Sequence, residues 1–296
     1  MKNHPTRAEK KTPLIESALF HRAAGFPVRK QLGQNFLVNK DVLVKIVNQL
    51  NIKPGDKVLE IGPGLGFLTE ILVSQGAALT AIEFDPYCID ALNKLSMSNL
   101  TLLEADFLQI DLDSVINEPT KIVGNIPYNI TTPILSKLLG EIGQPVPWLS
   151  RIQSIVLTVQ RELAERLVAK PGGKDYSQIT LLMNYYGAAE ALFIIAPENF
   201  SPPPQVHSTV IRFIPYDKIQ IVCNNHILLR KVIQAGFGSR RKMLKNNLRS
   251  LHVNEAALTK IFNELNFDPQ VRAESISLEQ FAKLTDAIEN AQETLR

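Results

Sequence analysis

Val58-Leu59-Glu60-Ile61-Gly62-Pro63-Gly64-Leu65-Gly66 decides how this chain folds. A short apolar run passes directly into three glycines at alternate positions. That is the pattern of a buried strand ending in a tight turn. Glycine lets the backbone turn sharply and lets a ligand approach it closely. A helical pattern follows over residues 65–75, with Leu68, Ile71 and Leu72 on one face. Strand, glycine turn and helix in this order open a doubly wound sheet, which binds ligands at the carboxyl ends of its strands.

The alternation continues toward the carboxyl terminus. Strands are expected at residues 57–61, 79–83, 100–105, 121–125 and 154–159. Helices are expected at 132–139, with Pro133 tolerated near its start, and at 161–169. Alternating strands and helices imply a parallel sheet with helices on both faces. Two further apolar stretches, 191–196 and 206–214, flank Phe200-Ser201-Pro202-Pro203-Pro204. No helix fits in that extended, proline-rich linker, so these two strands should pair antiparallel at the sheet edge. After Tyr216 only helical patterns remain, at 227–236, 240–251, 254–264 and 277–295. The expected organisation is a leader over 1–28, an α/β domain over 29–216 and a small all-helical domain over 217–296.

Composition narrows the function classes. The 296 residues suffice for one large domain or two ordinary ones. With 45% apolar and 21% charged residues the chain reads as soluble and globular. No apolar run approaches the roughly 18 residues of a membrane span. The leader lacks a signal-peptide core, and Glu9 and Glu16 speak against an organelle transit peptide. A cytoplasmic protein with no membrane partner is expected. Cys88 and Cys223 lack CxxC spacing and the five histidines are scattered, so neither a disulfide framework nor a metal site is expected.

Net charge is only +3, but its distribution is uneven. Arg230, Lys231, Arg240, Arg241, Lys242, Lys245 and Arg249 follow one another with no Asp or Glu between them. Such a stripe on a near-neutral body suits a phosphate backbone. A solvated helix face is the plainer alternative.

The expected strand ends carry the chemistry. Gly62 opens the glycine turn, and Glu83 ends the second strand, where a carboxylate can accept from ribose hydroxyls. This spacing alone does not separate NAD from S-adenosylmethionine. Asp106, after the third strand, could accept from an adenine amine with Phe107 beside the ring; a turn or cap residue is the competing reading. Asn125-Ile126-Pro127-Tyr128 ends the fourth strand. The N6 amine of adenine is a poor nucleophile because its lone pair is delocalised into the ring. Two acceptors aimed at its hydrogens, the Asn125 side-chain oxygen and the Pro127 carbonyl, can pull the nitrogen toward tetrahedral geometry. The lone pair then points at the methyl to be transferred, and Tyr128 can stack on the base. Positioning and electrostatics carry such a reaction, without a strong general base. An ordinary Asn-x-Pro turn is the alternative. Phe200 is a candidate second stacking surface, with core packing as its competitor.

With these residues in place, the chain resembles the small-subunit (16S) ribosomal RNA adenine N6-dimethyltransferases of the KsgA/RsmA type. The segments that carry the resemblance are Gln31-Leu32-Gly33-Gln34-Asn35-Phe36-Leu37, residues 60–66, residues 125–135 and Asp175-Tyr176-Ser177. Residues 200–208 and Phe237-Gly238-Ser239-Arg240-Arg241-Lys242-Met243-Leu244-Lys245-Asn246-Asn247-Leu248 complete the set. The resemblance implies a Rossmann-like class I methyltransferase domain with a mostly parallel seven-stranded sheet, then a small all-helical domain that touches ribosomal RNA. It implies methyl transfer from S-adenosylmethionine to N6 of two adjacent adenosines near the 3′ end of 16S rRNA, in the small subunit, by a protein read here as a monomer. By position it implies Asn35, Leu37, Gly62, Glu83, Asp106 and Asn125 as cofactor residues; spacing alone does not select Asn35 or Leu37. The resemblance also gives Arg240, Arg241, Lys242, Lys245 and Arg249 an RNA-contacting role.

The leader is longer than that family needs, and Ile126 stands where the family often has leucine. Isoleucine also occurs there in 23S rRNA methyltransferases of the macrolide-resistance type, the nearest rival. The basic 237–248 segment and the Pro-Pro-Pro-Gln-Val run favour the 16S group. A DNA adenine methyltransferase would need a recognition domain that the chain does not display. An NAD oxidoreductase would leave residues 125–128 unused. A ribosome-assembly factor whose binding role dominates is a further alternative.

Overall fold

The structure, a computed structural model, describes residues 18–29 and 32–293. Most of the leader and Gln31 therefore lie outside the described residues. Seven strands form the main sheet: β1 (Lys57–Ile61), β2 (Ala78–Glu83), β3 (Leu100–Glu104), β4 (Thr120–Asn125), β5 (Ile152–Gln160), β6 (Gly187–Ile195) and β7 (Ser208–Pro215). Their order across the sheet is β3-β2-β1-β4-β5-β7-β6. The first five run parallel, and β7 is antiparallel to both β5 and β6. The mostly parallel sheet and the antiparallel pair at its edge match the reading of the sequence.

Four of the five residues of β1 are buried, as expected for a parallel strand covered on both faces. Successive side chains feed opposite faces. Val58 and Leu79 join one apolar cluster, with helices α2 (Lys40–Asn48) and α3 (Phe67–Ser74). Leu59 and Ile82 join the other, with α6 (Thr131–Leu139) and α8 (Gln178–Tyr186). In chain order the remaining helices are α1 (Ala18–Ala24), α4 (Pro86–Asn93), α5 (Leu112–Val115) and α7 (Arg161–Leu167), followed by the carboxyl-terminal set.

Helices α2, α4 and α8 were not anticipated. Each has only eight or nine residues and depends on its amino-terminal cap. Asn39 accepts from Asp41 and Val42, Asp85 accepts from Tyr87, and the Thr180 hydroxyl accepts from the Ser177 N–H. Strand β6 starts at Gly187, earlier than residue 191, because Ile214 and Pro215 of β7 pair with Ala188 and Gly187.

The carboxyl-terminal helices are α9 (His226–Gly236), α10 (Leu244–Leu248), α11 (Glu255–Glu264) and α12 (Leu278–Glu293). Leu229, Leu244, Leu258, Phe281 and Leu284 belong to the same apolar cluster as Ile134 and Met183. The helical segment therefore shares a core with one face of the sheet.

One expectation is corrected here. Residues 240–251 do not form one helix, since α10 begins at Leu244, after an extended Met243. The Asn247 amide explains the break: it donates to the carbonyls of Gly236 at 2.6 Å and Ser239 at 2.9 Å. These bonds satisfy the exit of α9 and fold the intervening residues into a turn. Arg240, Arg241 and Lys242 ride on that turn, exposed. Replacing Asn247 with Leu should cost about 1–3 kcal/mol in urea unfolding, the usual range for buried polar groups left unpaired. A variant as stable as the parent would assign the turn to its backbone bonds alone.

Candidate active site

The chain reverses direction across the sheet between β1 and β4, which lie side by side. A crevice opens at such a reversal, outside the carboxyl ends of the strands. A cavity of about 300 Å³ lies there. Asn35, Leu37, Gly62, Glu83, Asp106 and Asn125, all six expected cofactor residues, line it, together with Pro127 and Tyr128.

The amino-terminal segment reaches the cavity by pairing. Phe36 and Leu37 form a two-residue antiparallel bridge with Ser201 and Phe200. The Asn125 side chain then donates from Nδ2 to the Asn35 carbonyl at 3.0 Å. A carbonyl can only accept, so this bond selects the amide nitrogen and leaves Oδ1 as a free acceptor. The Pro127 carbonyl accepts from the Ile130 N–H at 3.3 Å and the Thr131 hydroxyl at 3.4 Å. Both contacts are long and therefore weak. The Tyr128 hydroxyl pairs with Ser208 Oγ at 2.6 Å, which ties its ring to the start of β7. Burial pushes the Tyr128 phenol above its ordinary pKa, so the ring stays neutral.

Gly62 has φ +64°, and a Cβ there would meet nothing within 4 Å. The turn thus offers bare backbone to a ligand. Glu83 Oε2 accepts from the Gly64 N–H, and Oε1 accepts from the N–H groups of Phe84 and Asp85. A carboxylate has about four acceptor positions, so these bonds orient Glu83 and still leave it able to take a ribose hydroxyl. Asp106 accepts from the Leu108 N–H at 2.9 Å, so it serves as a turn residue and lines the cavity as well. Sequence reasoning missed Glu60, Gln34 and Phe84 as lining residues. Glu60 carries a signal in retrospect, as the one charged residue within the apolar part of β1.

Phe200 stands apart from the other candidate residues. It is 2% exposed, packs in the apolar cluster with Phe36 and Leu37, and does not line the cavity. Its strand pairing with Leu37 turns it into the core, and core packing is what it does in this structure. The basic stripe is also divided. Arg230 pairs with Glu141, Arg249 with Glu255 at 2.9 Å, and Lys245 donates to Thr259 at 2.6 Å. Arg240 donates to the Lys174 carbonyl, while among the described residues no partner bond engages the side chains of Arg241 and Lys242. Among the described residues no three metal-ligating side chains come together, and no helix is long and apolar enough to cross a membrane.

The sequence profile of the ribosomal RNA adenine dimethylases matches residues 25–290. The chain belongs to that family. As a family member it is a methyltransferase that draws on S-adenosylmethionine and acts on RNA. It is 42% identical over 270 residues to the ribosomal RNA small subunit methyltransferase A of Picosynechococcus sp., covering 88% of this chain and 97% of that protein. It is 41% identical over 266 residues to the protein of the same name in Synechococcus elongatus, covering 87% and 94%. Among solved structures, a dimethyladenosine transferase from Plasmodium falciparum aligns with TM-score 0.68 and 25% identity over 84% of this chain and 95% of that one. The 23S rRNA methyltransferase ErmE aligns with TM-score 0.67 and 23% identity over 86% and 100%, a likeness of fold.

In this methyltransferase, Glu60 is 1% exposed and accepts from the Thr69 hydroxyl at 2.7 Å. Burial pushes its carboxyl from an ordinary 4.5 up to about 8, against that hydrogen bond and with a smaller push from Glu83. The unfolded chain releases this proton near the ordinary value and the folded protein holds it. The folded state therefore binds the extra proton between the two values, and stability falls as pH rises through that window. In Glu60→Gln this contribution disappears. The urea midpoint of the unliganded variant should decline less than the parent's between about pH 5 and about pH 8. Equal declines would place the titration elsewhere.

Proposed function

We propose that the enzyme transfers methyl groups to N6 of two adjacent adenosines near the 3′ end of 16S rRNA, two on each, within the small ribosomal subunit. The observation that carries the chemistry is the orientation of Asn125, which lines the cavity and donates from its amide nitrogen to the Asn35 carbonyl, leaving its oxygen as the acceptor. S-adenosylmethionine, when bound, supplies the electrophilic methyl group. Gly62, Glu83 and Asp106 hold it, with Asn35 and Leu37 closing the cavity from the amino-terminal segment. Asn125 Oδ1 and the Pro127 carbonyl accept the two hydrogens of the adenine amine in the first transfer, and one of them the single hydrogen left in the second, which restores a nucleophilic lone pair. Tyr128, neutral and tethered through Ser208, fixes the plane of the base. The methylated amine is acidic and gives up its proton to solvent, so no side chain serves as a strong base.

The 16S substrate is supported by relatives about 40% identical over nearly the whole chain, whose name specifies the small subunit. The 23S alternative has a likeness of fold on its side. In this reading residues 29–216 do the chemistry and residues 217–296 meet RNA in a monomeric, cytoplasmic protein. Arg240, Arg241 and Lys242 on the exposed turn, with Lys245 and Arg249 behind them, supply the cationic contact.

The deciding experiment is transfer of labelled methyl from S-adenosylmethionine to unmethylated small subunits, with large subunits and DNA in parallel, followed by nucleoside analysis. Dimethyladenosine confined to 16S rRNA is the expected result, and label in 23S rRNA would overturn the substrate. Asn125→Ala should lose about 10²-fold or more in turnover, the scale of a lost transition-state hydrogen bond, with a smaller loss in cofactor affinity. Parental turnover in that variant would sink the acceptor role. Arg240→Glu combined with Arg241→Glu should weaken subunit binding and flatten its dependence on salt. An unchanged salt slope would make the turn a solvated surface.

A further inference from the structure

The glycine turn poses a mechanical problem. Gly62, Gly64 and Gly66 all have positive φ, at +64°, +58° and +78°. Three such residues in five leave the turn few side chains with which to hold itself. Backbone bonds and the Glu83 carboxylate hold part of it, and two contacts from the amino-terminal segment add to them. The Phe36 ring lies against Gly64, so close that a Cβ there would stand 3.0 Å from the ring edge. Phe26 in turn meets Phe36 edge-on, with ring centroids 5.6 Å apart.

The second contact comes from α1, in the stretch ahead of the region the family needs. Ala23 of this helix is buried in the same apolar cluster as Phe67, Leu68 and Leu72. This docking places Arg22 over the turn. The guanidinium carbon stands 4.7 Å from the centre of the Phe67 ring, and Nη1 pairs with Glu70 at 2.6 Å. Nη2 donates to the Leu65 carbonyl. That carbonyl has a particular need for a donor. Helix α3 begins at Phe67 with Gly66 as its cap, and the first ladder bond runs from the Glu70 N–H to the Gly66 carbonyl. Leu65 lies one residue outside the ladder, and among the described residues no backbone N–H reaches its carbonyl. Both Leu65 and Phe67 line the cavity.

An exposed ion pair contributes little to stability. The Arg22–Glu70 pair is 35% and 40% exposed, so its value lies in aiming the guanidinium rather than in holding the fold. We propose that Arg22 is a positioning residue for cofactor binding, which sets the Gly62–Gly66 turn from the amino-terminal helix by holding the Leu65 carbonyl. The proposal rests on the reading of this cavity as the S-adenosylmethionine site. A planar guanidinium can serve the carbonyl, the carboxylate and the ring at once, whereas an ammonium is a point charge that cannot.

The test measures S-adenosylmethionine affinity by calorimetry, together with kcat and KM on small subunits, for the full chain, Arg22→Ala and Arg22→Lys. Arg22→Ala should raise the cofactor Kd by about tenfold, with kcat and the KM for subunits within about twofold of the parent. Arg22→Lys should recover part of the affinity, and both variants should melt near the parental temperature. A parental Kd in Arg22→Ala would overturn the proposal. So would a fall in all parameters together with a lowered melting temperature, which marks general destabilisation. If Arg22→Ala fails to fold, Arg22→Lys decides alone: a raised Kd at parental melting temperature supports the proposal, and a parental Kd overturns it. A parent chain that binds no S-adenosylmethionine would fail the functional reading itself, a result distinguishable from either.

Discussion

One hydrogen bond, from the Asn125 amide to the Asn35 carbonyl, joins two segments ninety residues apart, and the site depends on it. The parallel register of β1 to β4 brings Gly62, Glu83, Asp106 and Asn125 to one edge of the sheet. That edge by itself is an open crevice. The segment before α2 closes it, held by the bridge between Phe36–Leu37 and Phe200–Ser201 and by the Asn125 bond. The same bond orients the Asn125 amide. Closure of the cavity and orientation of the Asn125 amide are thus one structural event.

The cavity walls are mostly apolar, and the two glutamates in them are held by hydrogen bonds. Glu83 is bound by three backbone N–H groups and Glu60 by one hydroxyl. Burial raises both carboxyls, and each Glu83 bond opposes that rise. Three hydrogen bonds thus hold back the rise at Glu83, whereas Glu60 has a single such bond and is pushed up to about 8. A cavity with Glu83 and Asp106 on its wall suits a cationic sulfonium ligand better than an anionic one.

The carboxyl-terminal helices show where charge in a sequence misleads. Seven cations without an intervening acid read as one stripe. The fold spends Arg230 and Arg249 on Glu141 and Glu255, acids far away or just outside the run. A short turn around Arg241 and Lys242 stays open, held by Asn247 from within. Helical periodicity extends through residues 240–251 because leucines recur there, but the buried amide of Asn247 competes for the carbonyls that end α9.

From the amino acids alone came the sheet and its chemistry. Apolar runs of strand length, each ending in glycine, carboxylate or Asn-x-Pro, specify a doubly wound fold with its reactive residues at strand ends, because local periodicity and turn chemistry are short-range properties. Short capped helices such as α2 and α8 were invisible for the complementary reason, since a cap counts only when a core receives the helix behind it. Phe200 could be read as a stacking surface or as core, and pairing with Leu37 decided for the core. The free oxygen of Asn125 was legible as a residue type, but its orientation required Asn35. Arg22 was one basic residue in a leader until α1 docked against the cluster beneath Phe67. Contacts between distant segments are set by packing of the whole chain, and no local pattern encodes them.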